Sequence, residues 1–163
     1  DRRSEDIIEI LNSSVSLQET GFPKISFKRN IIKSPLIYEL DSTMISQALI
    51  NLLKNAGEAI ESRINNDNHP EVFGQIEVNA ISMDNTLKIS IVDNGVGLPE
   101  DRNRLFEPYV TTRENGTGLG LAIVKKIIEE HGGMFSLEDA PPFSDTGIVG
   151  AAAVIELPFY NSN

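Results

Sequence analysis

The chain has 163 residues, 40% of them hydrophobic, enough for one core and too few for two comfortable domains, so a single domain is expected. It has no cysteine, which excludes disulfides, thiolate metal sites and a cysteine nucleophile, and two histidines argue against a histidine-rich metal site. A formal charge of -10 repels polyphosphate backbones, so nucleic acid is not an expected partner and any bound phosphate should arrive with a divalent cation.

Residues 4–19, SEDIIEILNSSVSLQE, set Ile7, Ile10 or Leu11, and Leu17 at helical spacing, with an end near Gly21. Two short strand-like pieces follow, KISFKR and PLIYEL, separated at Pro35. Asp41 then caps the strongest helical pattern in the chain, STMISQALINLLKNAGEAIESRI, whose Ile45, Ala48, Leu49, Leu52, Leu53, Ala56, Ala59 and Ile60 form one stripe. After the polar loop NNDNHPE, the alternating segments GQIEVNAIS and TLKISIVD, joined at Met83-Asp84-Asn85, predict an antiparallel pair. The stretch from NGVGLPE to Gly118 has little periodicity, and a structureless run of that length inside a compact domain predicts a functional lid. A helix from Gly120 closing at Gly132-Gly133 and two strands, MFSLED and GIVGAAAVIELP, complete the order. The pattern predicts a two-layer α/β sandwich, a mixed and mostly antiparallel sheet with about three helices on one face. No run approaches the roughly 18 apolar residues that span a bilayer. The opening DRRSED lacks a methionine, and we expect a cytoplasmic part of a longer protein, with any membrane anchor elsewhere.

Gly116, Gly118 and Gly120 stand just ahead of the last helix. Their G-x-G-x-G spacing, after a polar irregular segment, is not the G-x-G-x-x-G of a dinucleotide turn that follows a strand, and no Gly-Lys-Ser/Thr completes a Walker loop. What remains is backbone N–H groups free to approach an anion at a helix N-terminus. Three further clusters bear on which anion. Asn51 and Asn55 lie one turn apart beside the edge of the apolar stripe of the central helix; they are either a solvated pair or amides leaning into a cleft, where an amide oxygen is a suitable hard ligand for Mg²⁺. Asp93 shares parity with Leu87, Ile89 and Ile91 and so points to the apolar side at its strand's end. It either opens an Asp-Asn-Gly turn or meets a specific donor, such as the exocyclic amino group of adenine. A second glycine, Gly97 after Gly95, exceeds what a turn needs and implies a close backbone approach. In RLFEPYVTTR, Phe106 and Tyr109 pin a surface loop or line a site, and Thr111, Thr112 and Arg113 make a donor-rich, locally positive end.

In this order the segments NLLKNAGEAI, DNGVGLPE, RLFEPYVTTR and GTGLGLAIVKKIIEEHGG resemble the N box, first glycine box, F box and second glycine box of the ATP-binding catalytic domain of sensor histidine kinases. These kinases belong to the GHKL superfamily of the Bergerat ATP-binding fold, with gyrase and Hsp90-type chaperones. The wording FEPYVTTRENGTGLGLAIVKKIIEEHGG is most similar to nitrogen-regulation kinases of the NtrY type. The resemblance covers residues 41–133. It implies ATP and Mg²⁺ as cofactors, Asn55 as the metal ligand, Asn51 beside the phosphates and Asp93 as the adenine reader. Gly95 and Gly97 would admit the base and ribose. Residues 106–116 would form the ATP lid, with Phe106, Tyr109 and Thr111 against the nucleotide and Thr112 and Arg113 near the phosphates. Gly116, Thr117, Gly118, Leu119 and Gly120 would bring amides to them. The catalytic positions would be Asn51, Asn55, Thr112 and Arg113. Where many sensor kinases carry lysine three residues after the second asparagine, this chain has Glu58.

The resemblance also implies a phosphoacceptor histidine on a dimerisation hairpin, and neither His69, in a polar loop, nor His131, before the helix-ending glycines, fits that description. The acceptor domain is therefore expected upstream, with residues 1–20 as a connecting helix and 21–163 as the catalytic domain. The isolated domain is expected to be monomeric and the full-length protein a homodimer that passes its phosphate to a response regulator. An ATPase of the gyrase or chaperone sort is the alternative, but such enzymes place a glutamate four residues before the metal asparagine to activate water. Here that position is Asn51, which accepts no proton. A nucleotide-binding interaction module without catalysis is the third reading, separable by titration with ATP and Mg²⁺.

Overall fold

The computed structural model describes residues 1–102, 105–106, 120–143 and 146–159. Strand β1 (Arg3–Asp6) runs into helix α1 (Ile7–Gly21), and β2 (Ser26–Ile31) and β3 (Ile37–Leu40) precede the long α2 (Ser42–Asn65). The hairpin of β4 (Gln75–Met83) and β5 (Thr86–Asp93) follows, and α3 (Gly120–Glu130), β6 (Met134–Asp139) and β7 (Ala151–Pro158) complete the order. The main sheet runs β2-β4-β5-β7-β6, with β2 parallel to β4 and the other pairs antiparallel. The helices supply one face of a single core with the inward residues of the sheet, the two-layer sandwich expected from the sequence.

Helix α2 is the centre of that core. The Asp41 carboxylate accepts from the Met44 N–H (3.1 Å), satisfying a donor the helix itself cannot. None of the eight apolar stripe residues from Ile45 to Ile60 is more than 4% exposed. Beneath it, Ile76, Val78 and Ala80 of β4 and Leu87, Ile89 and Ile91 of β5 are all buried, as the period of two requires. The hairpin turns on two residues, Met83 pairing with Thr86, and Asp84 (φ 53°) and Asn85 (φ 60°) take the left-handed conformations that suit a tight turn. Helix α3 ends in a Schellman arrangement: Gly132 has φ 77°, and the Gly133 N–H reaches back to the Ile128 carbonyl (2.9 Å).

Two local expectations differ from what is found. Residues Arg3–Asp6 form a strand paired antiparallel with β3 in a small second sheet, so α1 begins at Ile7 rather than at residue 4. The cause is Asp6, whose Oδ1 accepts from both the Ile8 and Leu36 N–H groups (3.0 Å each) and so caps the helix while fastening it to the segment before β3. Leu17, read as part of the α1 stripe, is 57% exposed, and Ile7, Ile8, Leu11, Ser14 and Val15 carry the buried face instead. Ile7, Leu11 and Val15 belong to the same core as α2 and the sheet. Among the described residues no helix is long and apolar enough to cross a membrane.

Candidate functional site

The turn after β5 is fixed from every side. Asp93 is 5% exposed, at the inward end of its strand, and its Oδ1 accepts from the Gly95 N–H (2.9 Å). Asn94, also buried, accepts from the Gln75 N–H through Oδ1 (2.8 Å) and donates through Nδ2 to the Phe73 carbonyl (2.9 Å). Arg63, in the last turn of α2, is fully buried. Its Nε donates to the Asn94 carbonyl (2.7 Å), Nη1 to the carbonyls of Asn68 (3.0 Å) and His69 (2.7 Å), and Nη2 to that of Val72 (2.9 Å). Burial pulls the guanidinium below the ordinary arginine range, and the Glu71 charge acts in the opposite sense. Four carbonyl dipoles offset the desolvation, as a buried charge requires.

The close approach inferred at Gly95 is made by protein. A Cβ there would stand 2.5 Å from the Ala59 carbonyl carbon, and the Val96 N–H bonds the Ala59 carbonyl (3.1 Å), so this glycine seats the turn on α2. Gly97 combines φ 81° with a Cβ position 2.6 Å from the Val149 carbonyl oxygen, and it also borders the cleft described next.

Asn55, Asp93 and Gly97 line one cleft, walled by apolar residues that include Leu52, Ile91, Leu98, Leu121 and Ala153. The Asn55 amide is half-buried and has no hydrogen-bond partner among the described residues. Gly120 opens α3 beside it, with its Cβ direction 3.8 Å from Asn55 Nδ2, and the N–H groups of that first turn have no partner within their own helix. Asn51, one turn earlier on α2, is half-buried and off the cleft lining. The Phe106 ring meets Phe135 edge-on at 5.7 Å between centroids, and Lys125 Nζ lies 5.3 Å from the Phe106 centroid, so Phe106 pins its segment to β6 and α3. Tyr109, Thr111, Thr112, Arg113, Gly116, Thr117, Gly118 and Leu119 lie outside the described residues.

Among the described residues no group of three or more histidines, cysteines or carboxylates could hold a metal. The donor set on α2 is one amide oxygen, which fits a hard cation that brings phosphate and water ligands with it and fits no all-protein cage. A larger concavity, about 640 Å³, lies at the far end of α2 between Phe22, Ile25, Ile64 and Phe73, but the buried Asp93 carboxylate and the Asn55 amide border the smaller cleft of about 60 Å³. Chemistry, not size, selects the site.

Sequence reasoning missed three things here. The apolar wall includes Leu121 and Leu137, whose only signal is helix position or strand parity, and Leu98 and Leu105, which lie outside any helix or strand and carry no periodic signal at all. Nothing in the sequence sets Arg63 apart from the solvated arginine that usually stands near a helix end. His131, which stands before the helix-ending glycines, donates through Nδ1 to the Ile127 carbonyl (2.8 Å), and its Nε2 accepts from the Asp41 N–H (3.1 Å), a tie between the end of α3 and the start of α2 that the sequence does not show.

Comparison with known proteins agrees with this geometry. The family model described as histidine kinase-, DNA gyrase B- and HSP90-like ATPase matches residues 40–161. The nitrogen regulation protein NtrY of Azorhizobium caulinodans is 51% identical over 141 residues, 85% of this chain and 18% of that protein. Sporulation kinase B of Bacillus subtilis is 34% identical, over 90% of this chain and 31% of its own length. The chain thus spans less than a third of these relatives. Among solved structures, the mycobacterial sensor histidine kinase MprB superposes with a TM-score of 0.79 at 26% identity, covering 97% of both chains. The catalytic domain of histidine kinase ThkA gives 0.77 at 29%, covering 97% of this chain and 95% of that one. A full-length ShkA solved in complex with AMPPNP gives 0.73 at 26%, covering 99% of this chain and 32% of that one. With its N-box helix, its buried aspartate and its two-layer fold in place, the chain belongs to the histidine kinase-, DNA gyrase B- and HSP90-like ATPase family, as a catalytic ATP-binding domain of the sensor histidine kinase kind.

Proposed function

We propose that this domain binds Mg-ATP in the Asn55–Asp93 cleft and presents the γ-phosphate to a histidine on a dimerisation domain of the same protein, for relay to a response regulator in nitrogen-related signalling. The observation that carries this reading is that the half-buried Asn55 amide on α2, without a hydrogen-bond partner among the described residues, and a buried carboxylate at the end of β5 border one apolar cleft, with the first turn of α3 beside the amide. The Asp93 carboxylate accepts from the adenine amino group while the apolar wall takes the base. Asn55 holds the Mg²⁺, whose charge offsets that of the phosphates, and Asn51, Thr112 and Arg113 serve the phosphate end with the amides of residues 116–120. Residues 1–20 lead from the dimerisation domain, with β1 and the buried face of α1 built into the catalytic fold. The setting is the cytoplasmic side of a homodimeric sensor.

In the transfer the bond from the γ-phosphorus to the β,γ-bridging oxygen breaks, a bond to the acceptor's ring nitrogen forms, ADP leaves and the imidazole proton passes to solvent or to the acidic residue beside the acceptor. This chain supplies position and charge for that step, not a nucleophile. Both ring nitrogens of His131 are engaged, and His69 sits in the α2–β4 loop beside Glu71. Asn51 offers water no base. Incubation with γ-labelled ATP is the test: the chain alone should bind ATP without labelling itself, and a separately supplied dimerisation hairpin should acquire acid-labile label slowly and in proportion to its concentration. Label on the chain alone, abolished by His131→Gln or His69→Gln, would overturn the assignment, and rapid release of free phosphate would turn it into an ATPase.

A further inference from the structure

We infer that Arg63, acting through Asn94, is the positioning residue that aims the Asp93 carboxylate, so that specificity for the base is set partly from the loop between α2 and β4. The inference rests on the reading of Asp93 as the base-binding group. Arg63 does not line the cleft, yet its guanidinium is the hub of the segment behind it. Three of its four bonds go to the α2–β4 loop, at Asn68, His69 and Val72, and the fourth goes to Asn94, the residue after Asp93. That loop carries two non-glycine residues in the left-handed region, Asp67 (φ 61°) and His69 (φ 51°), an unfavourable backbone state that three local backbone bonds alone leave to be offset from outside. Three inward carbonyls around one cation supply that offset.

From Asn94 the constraint passes to Asp93 by short covalent and hydrogen-bonded steps. The Asn94 backbone is held by Arg63 through its carbonyl and by the Gln75 carbonyl through its N–H (3.3 Å), while the Asn94 side chain bridges Gln75 and Phe73. Gly95 next to it is pressed on Ala59 and donates to Asp93 Oδ1. The carboxylate is thus set between the ladder of β5, where Asp93 faces Ile76 and Ala151, and a turn whose backbone a buried arginine fixes. A planar fork with donors in three directions is needed for this; a lysine ammonium is a point charge that cannot span the Asn94 and Val72 carbonyls in the same way.

The experiment compares ADP with inosine diphosphate, which carries an oxo group where adenine carries the amino group, by calorimetric titration with and without Mg²⁺. A carboxylate aimed at that position repels the oxo group, so the parent chain should prefer ADP by about tenfold or more. Asp93→Asn, whose amide can donate to the oxo group, should erase or invert the preference. Arg63→Lys should lower the ADP-to-inosine-diphosphate ratio toward that of Asp93→Asn while the gain in affinity conferred by Mg²⁺, an Asn55 property, stays the same. Where Arg63→Lys does not fold, Asn94→Ala carries the comparison, since it keeps the carbonyl that Arg63 bonds and removes the side-chain ties to the Gln75 N–H and the Phe73 carbonyl. A lowered melting temperature with an unchanged ratio in the variant that folds would reduce Arg63 and Asn94 to structural support and overturn the inference. An unchanged ratio in Asp93→Asn would instead remove Asp93 from the base pocket, and the inference with it.

Discussion

Gly95→Ala puts the seat of the turn on α2 to a direct test. The added Cβ would lie 2.5 Å from the Ala59 carbonyl carbon, and 2.7 Å from both the Ala59 Cβ and its carbonyl oxygen. Carbon atoms in contact sit about 3.5–4.0 Å apart, so turn and helix must part by on the order of 1 Å. Two of the three clashing atoms are backbone in the middle of a 24-residue helix, with no rotamer to give way. Overpacking of this sort costs about 1–3 kcal/mol, and losing the Val96–Ala59 hydrogen bond adds about 0.5–1.5 kcal/mol, together about 2–4 kcal/mol. For a chain of this size the melting temperature should fall by about 5–15 °C, and ADP affinity should fall with it because Asp93 moves with the turn. Calorimetric melting and ADP titration are the assays, with Gly132→Ala as the control: no atom lies within 4 Å of that Cβ, and only its φ of 77° is unfavourable, worth about 1 kcal/mol. A Gly95→Ala melting temperature within about 2 °C of the parent, or a loss no larger than that of Gly132→Ala, would refute the packing argument.

Asn55→Ala should weaken ATP binding about tenfold or more in Mg²⁺ and little in EDTA, the loss of one charge-assisted ligand; equal losses in both buffers would take Asn55 away from the metal. His131→Ala leaves the Asp41 N–H without its acceptor and should destabilise the domain by about 1 kcal/mol in urea unfolding while ADP affinity holds. Gly21→Ala, in the last turn of α1 with no atom near the new Cβ, should stabilise by about 0.4–1 kcal/mol through the unfolded chain, and a loss of stability would mean that the turn into Phe22 needs glycine.

What the sequence discloses here follows the range of the interaction that decides each feature. The α2 stripe, the Asp41 cap and the inward parity of Asp93 are set within a few residues, and all three are found. Strand β1 has no such signal: RSED carries no apolar alternation, and its pairing with β3 is made across the whole of α1. Leu17 misled because it sits at a helical spacing from Ile10 but about 120° around the helix from the centre of the face that Ile7, Leu11 and Val15 bury. The purpose of Gly95 depends on Ala59, a neighbour brought close only by tertiary packing, so the sequence could say that something approaches but not what. Arg63 is the hardest case, since an arginine in a last helical turn is ordinarily solvated, and only the carbonyls of a loop downstream make this one internal.

One turn of α2 separates Asn55, which borders the cleft, from Ala59, which anchors the Gly95 turn, a distance of about 6 Å along the axis. The helix therefore acts as a caliper whose two jaws are mounted on a single rigid bar, and the spacing between the Asn55 amide and the seat of the Gly95 turn is ruled off in units of helical pitch. Re-engineering the domain for a longer or shorter ligand must consequently work on the turn that forms one jaw, because the bar itself adjusts only by whole residues and would rotate the other jaw out of the cleft with each one added.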